Sequence, residues 1–182
     1  GLSVLANARY EADDLIGTMV YRQRQRGFSS TVISADKDLS QLLGPNDTQY
    51  DYAKQQRWGP MGVFERHGVY PHQMADYLGL TGDAIDNIPG VPGIGPKTAA
   101  ALLAHFGSLD ALLERLDELP FLRLRGAATH AARLRENRDI ARLSRQLATI
   151  ACDAPLPSDI ENAERRPGDA AALNDVMDYA RF

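Results

Sequence analysis

Three short acidic groups carry the chemistry this chain can do. Glu11, Asp13 and Asp14 form the first, Asp36 and Asp38 flank Lys37 in the second, and Asp83 and Asp86 form the third. Glu11 and Asp14 share a helical face at i, i+3, with Asp13 beside them. Asp36 and Asp38 point to one side if their segment is extended. They follow a predicted strand, where open α/β sheets place their sites. Taken singly, each group also fits an ordinary role: first-turn acids that suit the helix dipole, a solubilising turn, or an Asx turn capping a helix. Gathered together, the groups repel one another unless cations neutralise them. An all-oxygen carboxylate set selects Mg²⁺ or Mn²⁺, with water and substrate phosphate completing the shell. The chemistry that fits is two-metal phosphodiester hydrolysis. No Cys or His spacing suits zinc, and no GxSxG motif or Ser–His–Asp order is present.

The third acidic group runs directly into a second motif. Pro89-Gly90-Val91-Pro92-Gly93-Ile94-Gly95-Pro96-Lys97 predicts a tight glycine hairpin that opens a helix. Gly93 and Gly95 let the backbone turn sharply, and Pro96 suits a first helical position. The amides of Gly93, Ile94, Gly95, Lys97 and Thr98 around Pro96 are candidates for binding a phosphate without reading a base. Lys97 adds a cation in the first turn, where the dipole disfavours one unless an anion sits there. The plain alternative is a loop-to-helix joint anchored by Val91 and Ile94.

The elements that position these residues follow from periodicity. Ser3 to Ala6 is expected as a short strand. Glu11 to Arg26 is expected as a helix with Leu15, Ile16, Met19 and Val20 inward, ended by Gly27. Thr31 to Ser34 is a β-branched strand, Leu39 to Leu43 a helical turn, and Thr48 to Tyr52 with Gln55 to Trp58 a strand pair. Short helices follow at Met61 to His67 and Pro71 to Leu78, then Pro96 to Phe106. Ser108 caps a helix that aligns Leu109, Leu112, Leu113 and Leu116. Ala131 to Ile150 predicts one long arginine-rich helix with Leu134, Ile140, Leu143 and Leu147 inward. Ile160 to Gly168 is expected as loop and Asp169 to Tyr179 as a helix. The fold class is α/β with a parallel sheet, giving way to helices after a boundary at residues 68–71.

The chain has 182 residues, 44% of them hydrophobic, enough for one sizeable core or two small ones. Its net charge of −4 hides a segregation of acids from two arginine clusters, Arg22 to Arg26 and Arg115 to Arg145. Solvated helix faces explain either cluster alone; tracking phosphates is the alternative. The single Cys152 rules out an internal disulfide and suits a reducing compartment. There is no secretory signal pattern and no membrane-spanning apolar run. A cytoplasmic monomer is expected. The opening residues, Leu2 to Ala6, look like the middle of a domain, so a preceding portion is expected.

YEADDLIGT, SADKDLSQLL and GDAIDNIPGVPGIGPKTAAALL, in that order, resemble motifs of the 5′→3′ exonuclease and flap endonuclease family. ENRDIARLSRQLATI resembles its C-terminal region. Bacterial members include the N-terminal domain of DNA polymerase I and stand-alone exonucleases of the exonuclease IX type. The resemblance implies a partial PIN-like nuclease domain over residues 1–70 and a helical helix–hairpin–helix (helix–three-turn–helix) domain over 71–182. It implies a metal-dependent 5′→3′ exonuclease or 5′-flap endonuclease of DNA replication and repair, acting on flaps or 5′ ends of duplex DNA. Glu11, Asp13, Asp14, Asp36, Asp38, Asp83 and Asp86 would ligate two ions. Asp13, Asp14 and Asp36, the catalytic set, would lie nearest the first, and Asp38, Asp83 and Asp86 nearest a looser second. Potassium, held in some relatives by main-chain carbonyls, would map to Leu80, Thr81, Pro89, Val91 and Ile94. The family's first strand, with its essential Asp, and its threading arch have no match in these residues. If the chain acts alone, weak metal binding and little or no cleavage are expected, because that strand and a further Asp would supply missing ligands. A duplex-binding fragment without turnover and a segment of a DNA polymerase I are the alternatives.

Overall fold

A computed structural model describes residues 3–157 and 169–180. Helix α1 spans Ala12–Gln25 and ends at Arg26, before Gly27 with φ +85°. Strand β1 (Thr31–Ile33) pairs in parallel with β2 (Thr48–Asp51), joining Thr31 to Thr48 and Ile33 to Tyr50. A single 3₁₀ turn, Asp38–Leu42, covers the crossover. Strand β3 (Gln56–Trp58) returns antiparallel to β2, so the three-stranded sheet is mixed rather than purely parallel. Ser3 to Ala6 forms no strand. Among the described residues no ladder partner reaches it, and four residues without ladder hydrogen bonds gain too little to fix extended backbone.

The second half is helical: α2 (Pro60–His67), α3 (Met74–Thr81), α4 (Pro96–Phe106), α5 (Leu109–Glu114), α6 (Ala127–Glu136), α7 (Arg138–Ala148) and α8 (Ala170–Ala180). A 3₁₀ turn at Pro71–Gln73 leads into α3. Ser108 Oγ accepts from the Ala111 amide and caps α5, as the sequence predicts. Asp169 Oδ1 accepts from the amides of Ala171 and Ala172 at the start of α8. The expected loop at Ile160 to Gly168 lies outside the described residues. The core centres on this half: Leu78, Leu80, Leu102, Leu103, Leu109, Leu112, Leu113, Leu119 and Leu134 are fully enclosed. No described helix is long and apolar enough to cross a membrane.

The long helix expected over Ala131 to Ile150 is two helices. Asn137, with φ −115° and ψ 25°, breaks it and turns its side-chain amide back to the Arg133 carbonyl at 2.8 Å. Asn favours such local bonds over a helix interior. The expected face of α7 is also inverted. Ile140, Leu143 and Leu147 are exposed at 39, 51 and 57%, while Ala141, Ser144 and Ala148 are buried. The reason is close backbone approach. α7 lies against α3 at Gly79, where an added Cβ would come 2.9 Å from Arg145 Cβ and 3.1 Å from the Ala141 carbonyl oxygen. Only a small-residue face fits that gap.

The same face serves the hairpin. Ser144 Oγ accepts from the buried Gly90 amide at 3.1 Å. Gly90 has φ +62°, and a Cβ there would sit 2.2 Å from the Gly82 nitrogen. Gly90→Ala therefore combines a backbone clash with a left-handed conformation, and it should lower stability by at least about 2 kcal/mol. Urea unfolding of the two proteins checks this through the midpoint.

Candidate metal centre and phosphate hairpin

The structure brings the three acidic groups to one cleft. Glu11, Asp13, Asp14, Asp36, Asp38 and Asp86 line a cavity of about 310 Å³, closed on another side by Ile88 and by Leu147 to Ile150. Asp83 completes the set: Asp38, Asp83 and Asp86 each offer an oxygen within 4.8 Å of the others.

Each group is set by its own backbone. Glu11 is the N-cap of α1, and its carboxylate and that of Asp14 exchange bonds with each other's amides. This capping box arises because both acids accept the orphan donors of a helix start. Asp14 Oδ1 also accepts from the Ala151 amide at 2.9 Å, so both its oxygens bind main chain. Asp13 faces the cleft. Asp36 Oδ1 accepts from the Asp38 amide at 2.9 Å, which curls the segment into a turn. The extended geometry considered for Asp36-Lys37-Asp38 is therefore not adopted: Lys37 has φ −68° and ψ −26°. All three side chains consequently reach the same region, and Lys37 Nζ donates to Asp83 Oδ2 and lies 3.9 Å from Asp38 Oδ1. Asp83 and Ile88 exchange backbone bonds of 2.9 and 2.7 Å, and Asp83 Oδ1 accepts from the Ile85 amide, the Asx turn foreseen at this position.

Sequence reasoning missed the side chains that hold these segments. Gln49 on β2 is fully buried; its amide donates to the carbonyls of Ser34 and Asp36, and its oxygen accepts from Ser40 Oγ. Gln41 bonds both the Ala148 carbonyl and the Ile150 amide at 3.0 Å. Thr18 Oγ1 accepts from the Ala154 amide. These bonds sew the segment after α7 across α1, where Gly17 leaves room for Ile150 and Ala151. A Gln in a strand gives little sequence signal, because it is ordinarily a surface residue. Arg24, in a cluster open to either a solvated face or phosphate tracking, pairs with the buried Asp47.

The electrostatics separate structural acids from cleft acids. Burial pushes Asp47 up, but Arg24 and the amides of Ser30 and Gly44 outweigh it and hold its carboxyl below the usual range. Burial raises Asp13, reinforced by Asp36, Glu11, Asp14 and Asp86. Burial likewise raises Asp38; Lys37 opposes it, while Asp36, Asp83 and Asp86 add to it, and the carboxyl is pushed up to about 7. Burial raises Asp83 too, yet the Lys37 ammonium and nearby amides bring it below its ordinary value. Asp38 Oδ1 is buried without a hydrogen-bond partner among the described residues. A buried, unsatisfied carboxylate oxygen facing other carboxylates fits a hard divalent cation.

The hairpin lies between α3 and α4. Ile94 is buried, and its amide donates to the Val91 carbonyl at 3.0 Å, so that donor is already used. Gly93 has φ +77°, and its carbonyl accepts from Arg133 Nη1 at 3.1 Å. Gly95 is the N-cap of α4 and has no side-chain cap. Gly95, Pro96 and Lys97 are exposed and Thr98 half-buried. First-turn amides at Lys97 and Thr98 lack intrahelical acceptors by position. Of the five carbonyls considered for potassium, Leu80 accepts from Val91 at 2.8 Å and Val91 from Ile94.

A small mixed sheet with a carboxylate cleft is joined here to a helical unit with a glycine hairpin. Residues 1–68 match the domain described as 5′-3′ exonuclease, N-terminal resolvase-like, and residues 69–171 that described as 5′-3′ exonuclease, C-terminal SAM fold. The chain belongs to the 5′-3′ exonuclease family. It is 42% identical to DNA polymerase I of Rhizobium leguminosarum, a match covering 95% of this chain and 16% of that protein. It is 37% identical to the 5′-3′ exonuclease of Buchnera aphidicola, covering 86% of this chain and 54% of the relative. Bacteriophage T5 5′-exonuclease with bound zinc shares the fold, with a TM-score of 0.66 at 24% identity over 76% of this chain and 49% of that one. A T5 flap endonuclease complex with DNA and metal ions superposes with a TM-score of 0.66 at 23% identity, over 76% of this chain and 49% of that one. The chain thus spans about half, or much less, of the relatives it matches.

The raised Asp38 sets a pH dependence for the metal-free protein. Folding favours its protonated form, so its contribution is whole below about 3.8 and is lost as pH climbs to about 7. His67, lowered first by burial, pulls the opposite way but is common to wild type and variant. In EDTA, the melting temperature of Asp38→Asn relative to wild type should therefore rise from pH 5 and level off near pH 7. A flat difference would remove the strained carboxyl from the account.

Proposed function

We propose that this chain carries the metal-binding cleft and the duplex clamp of a 5′→3′ exonuclease or 5′-flap endonuclease that hydrolyses DNA phosphodiesters with two divalent ions, Mg²⁺ or Mn²⁺. The observation that carries the reading is the convergence of three acidic segments on one cleft, with Asp38 Oδ1 buried and unsatisfied. Asp13, Asp14 and Asp36, with Glu11 beside them, would hold one ion, and Asp38, Asp83 and Asp86 the other. When bound, such a pair activates water and stabilises the leaving oxygen of the displaced strand. Domain limits of 1–70 and 71–182 suit this division of labour.

The chain's own residues supply position. Asp14 accepts from the Ala151 amide and so ties the cleft rim to the segment after α7. Gly93, Gly95 and the first-turn amides of α4 present donors, and Lys97 presents a charge, to backbone phosphates of the duplex; the buried Ile94 contributes the turn rather than a donor. Such contacts fix register without reading base sequence. Potassium at the carbonyls of Leu80, Thr81, Pro89, Val91 and Ile94 would brace the same loop, although two of these already accept hydrogen bonds. A cytoplasmic monomer working in replication or repair suits a chain with a single free thiol.

Cleavage of a 5′-labelled flap duplex tests the reading. Products should require Mg²⁺ and fall at least about 100-fold in Asp13→Ala. Duplex binding in EDTA with no products at any metal concentration would leave a clamp without chemistry. Lys97→Ala should flatten the plot of log affinity against log salt by about one unit of slope. An unchanged slope would take Lys97 off the phosphate backbone.

A further inference from the structure

Lys37 is the residue the nuclease reading leaves without a task. It lies between two proposed ligands, and the 3₁₀ turn folds it over their cleft rather than away from it. Its ammonium donates to Asp83 Oδ2 and stands 3.9 Å from Asp38 Oδ1. Asp83 and Asp38 are two of the three carboxylates whose oxygens converge within 4.8 Å. The third, Asp86, forms no ion pair among the described residues. No such ion pair reaches Glu11, Asp13, Asp14 or Asp36 among the described residues. The ion pairs of Lys37 are therefore with one of the two proposed sites, although its charge is also felt by Asp36.

We propose that Lys37 is a tethered cation of the Asp38–Asp83–Asp86 group, neutralising it when no divalent ion is present and competing with the ion that binds there. The inference rests on the metal reading above. An ion coordinated by Asp83 Oδ2 would meet the ammonium at nearly hydrogen-bonding distance, where like charges repel strongly. The two occupants exclude each other. The lysine side chain is 39% exposed on a flexible four-carbon stem, so it can leave for solvent without moving backbone. Asp83 is 5% exposed at its side chain and cannot follow it. The consequence is an order of filling: the Glu11–Asp13–Asp14–Asp36 group loads first, and the second group loads only when the metal concentration is high enough to displace Lys37. An arginine at this place would also be cationic, so charge rather than lysine chemistry is what the role demands.

Mn²⁺ titration followed by electron paramagnetic resonance of the free ion tests this, using wild type, Lys37→Met, Lys37→Arg and Asp83→Asn. Wild type should show two classes of site. Lys37→Met, which keeps the stem and removes the charge, should tighten the weaker class on the order of tenfold and leave the tighter class alone. Lys37→Arg should behave like wild type, and Asp83→Asn should lose the weaker class. In EDTA, Lys37→Met should melt below wild type, and the gap should close as Mn²⁺ is added. An unchanged or weakened second class in Lys37→Met would overturn the proposal while leaving the metal site standing. Absence of Mn²⁺ binding in all four proteins would overturn the metal reading itself, and the role of Lys37 with it.

Discussion

Mutual repulsion among carboxylates is the constraint the rest of this structure answers to. Two such charges about 5 Å apart cost about 3 kcal/mol at an effective dielectric near 20, whereas one neutral hydrogen bond returns about 1 kcal/mol. No single contact can hold several acids in one cleft. The chain instead fixes the backbone beneath each acid. Glu11 and Asp14 are committed to a helix start, Asp36 to a turn clamped by Gln49, and Asp83 to a closed turn with Ile88. The repulsion that survives is visible as the raised Asp13 and Asp38 carboxyls, which burial drives first and neighbouring acids reinforce. The ion pair between Lys37 and Asp83 relieves part of it.

The clamp that resists this repulsion is anchored in the helical half. The apolar core lies there, and α7 carries its rigidity to both functional features. Ser144 on α7 bonds the Gly90 amide under the hairpin, and one turn further on Leu147 and Ala148 form a wall of the acid cleft. The small-residue face of α7 is what lets it lie against Gly79 closely enough to do both. The Gly90 anchor and the wall of the acid cleft are thus about one turn apart on α7, about 5.4 Å of rise. A strained or loosened α7 would disturb both features together.

How much of this was legible in the sequence depended on whether the cause was local. α1, α4, α5 and the three strands lie within a residue or two of their expected positions, because capping residues, Pro at first turns and β-branched runs act over a few residues. The acidic segments were legible as groups. Their convergence rested on family motifs, since spacing alone also fits caps and turns. What escaped was non-local. The inward face of α7 was misassigned because hydrophobic periodicity selects the Leu stripe, while the partner helix, through Gly79, selects the Ala–Ser stripe. Lys37 was overlooked because alternation along an extended segment would point it away, and the Asx turn at Asp36 reverses that. Gln49 was invisible because its role exists only after β1 and β2 pair.

The opposite signs of the two features also order their use. Six carboxylates lining one cleft, with Asp83 beside them, repel a nucleic-acid backbone there until cations arrive. The hairpin carries no such burden: its donors are amides and one exposed lysine. In the proposed function a duplex would rest on the hairpin whether or not the cleft is loaded, while a phosphate would enter the cleft only once divalent charge outweighs the acids. On that reading, electrostatics alone would separate binding from chemistry. Lys37 sharpens the separation, because a monovalent ammonium offsets one carboxylate and leaves the cleft still too negative for a phosphate.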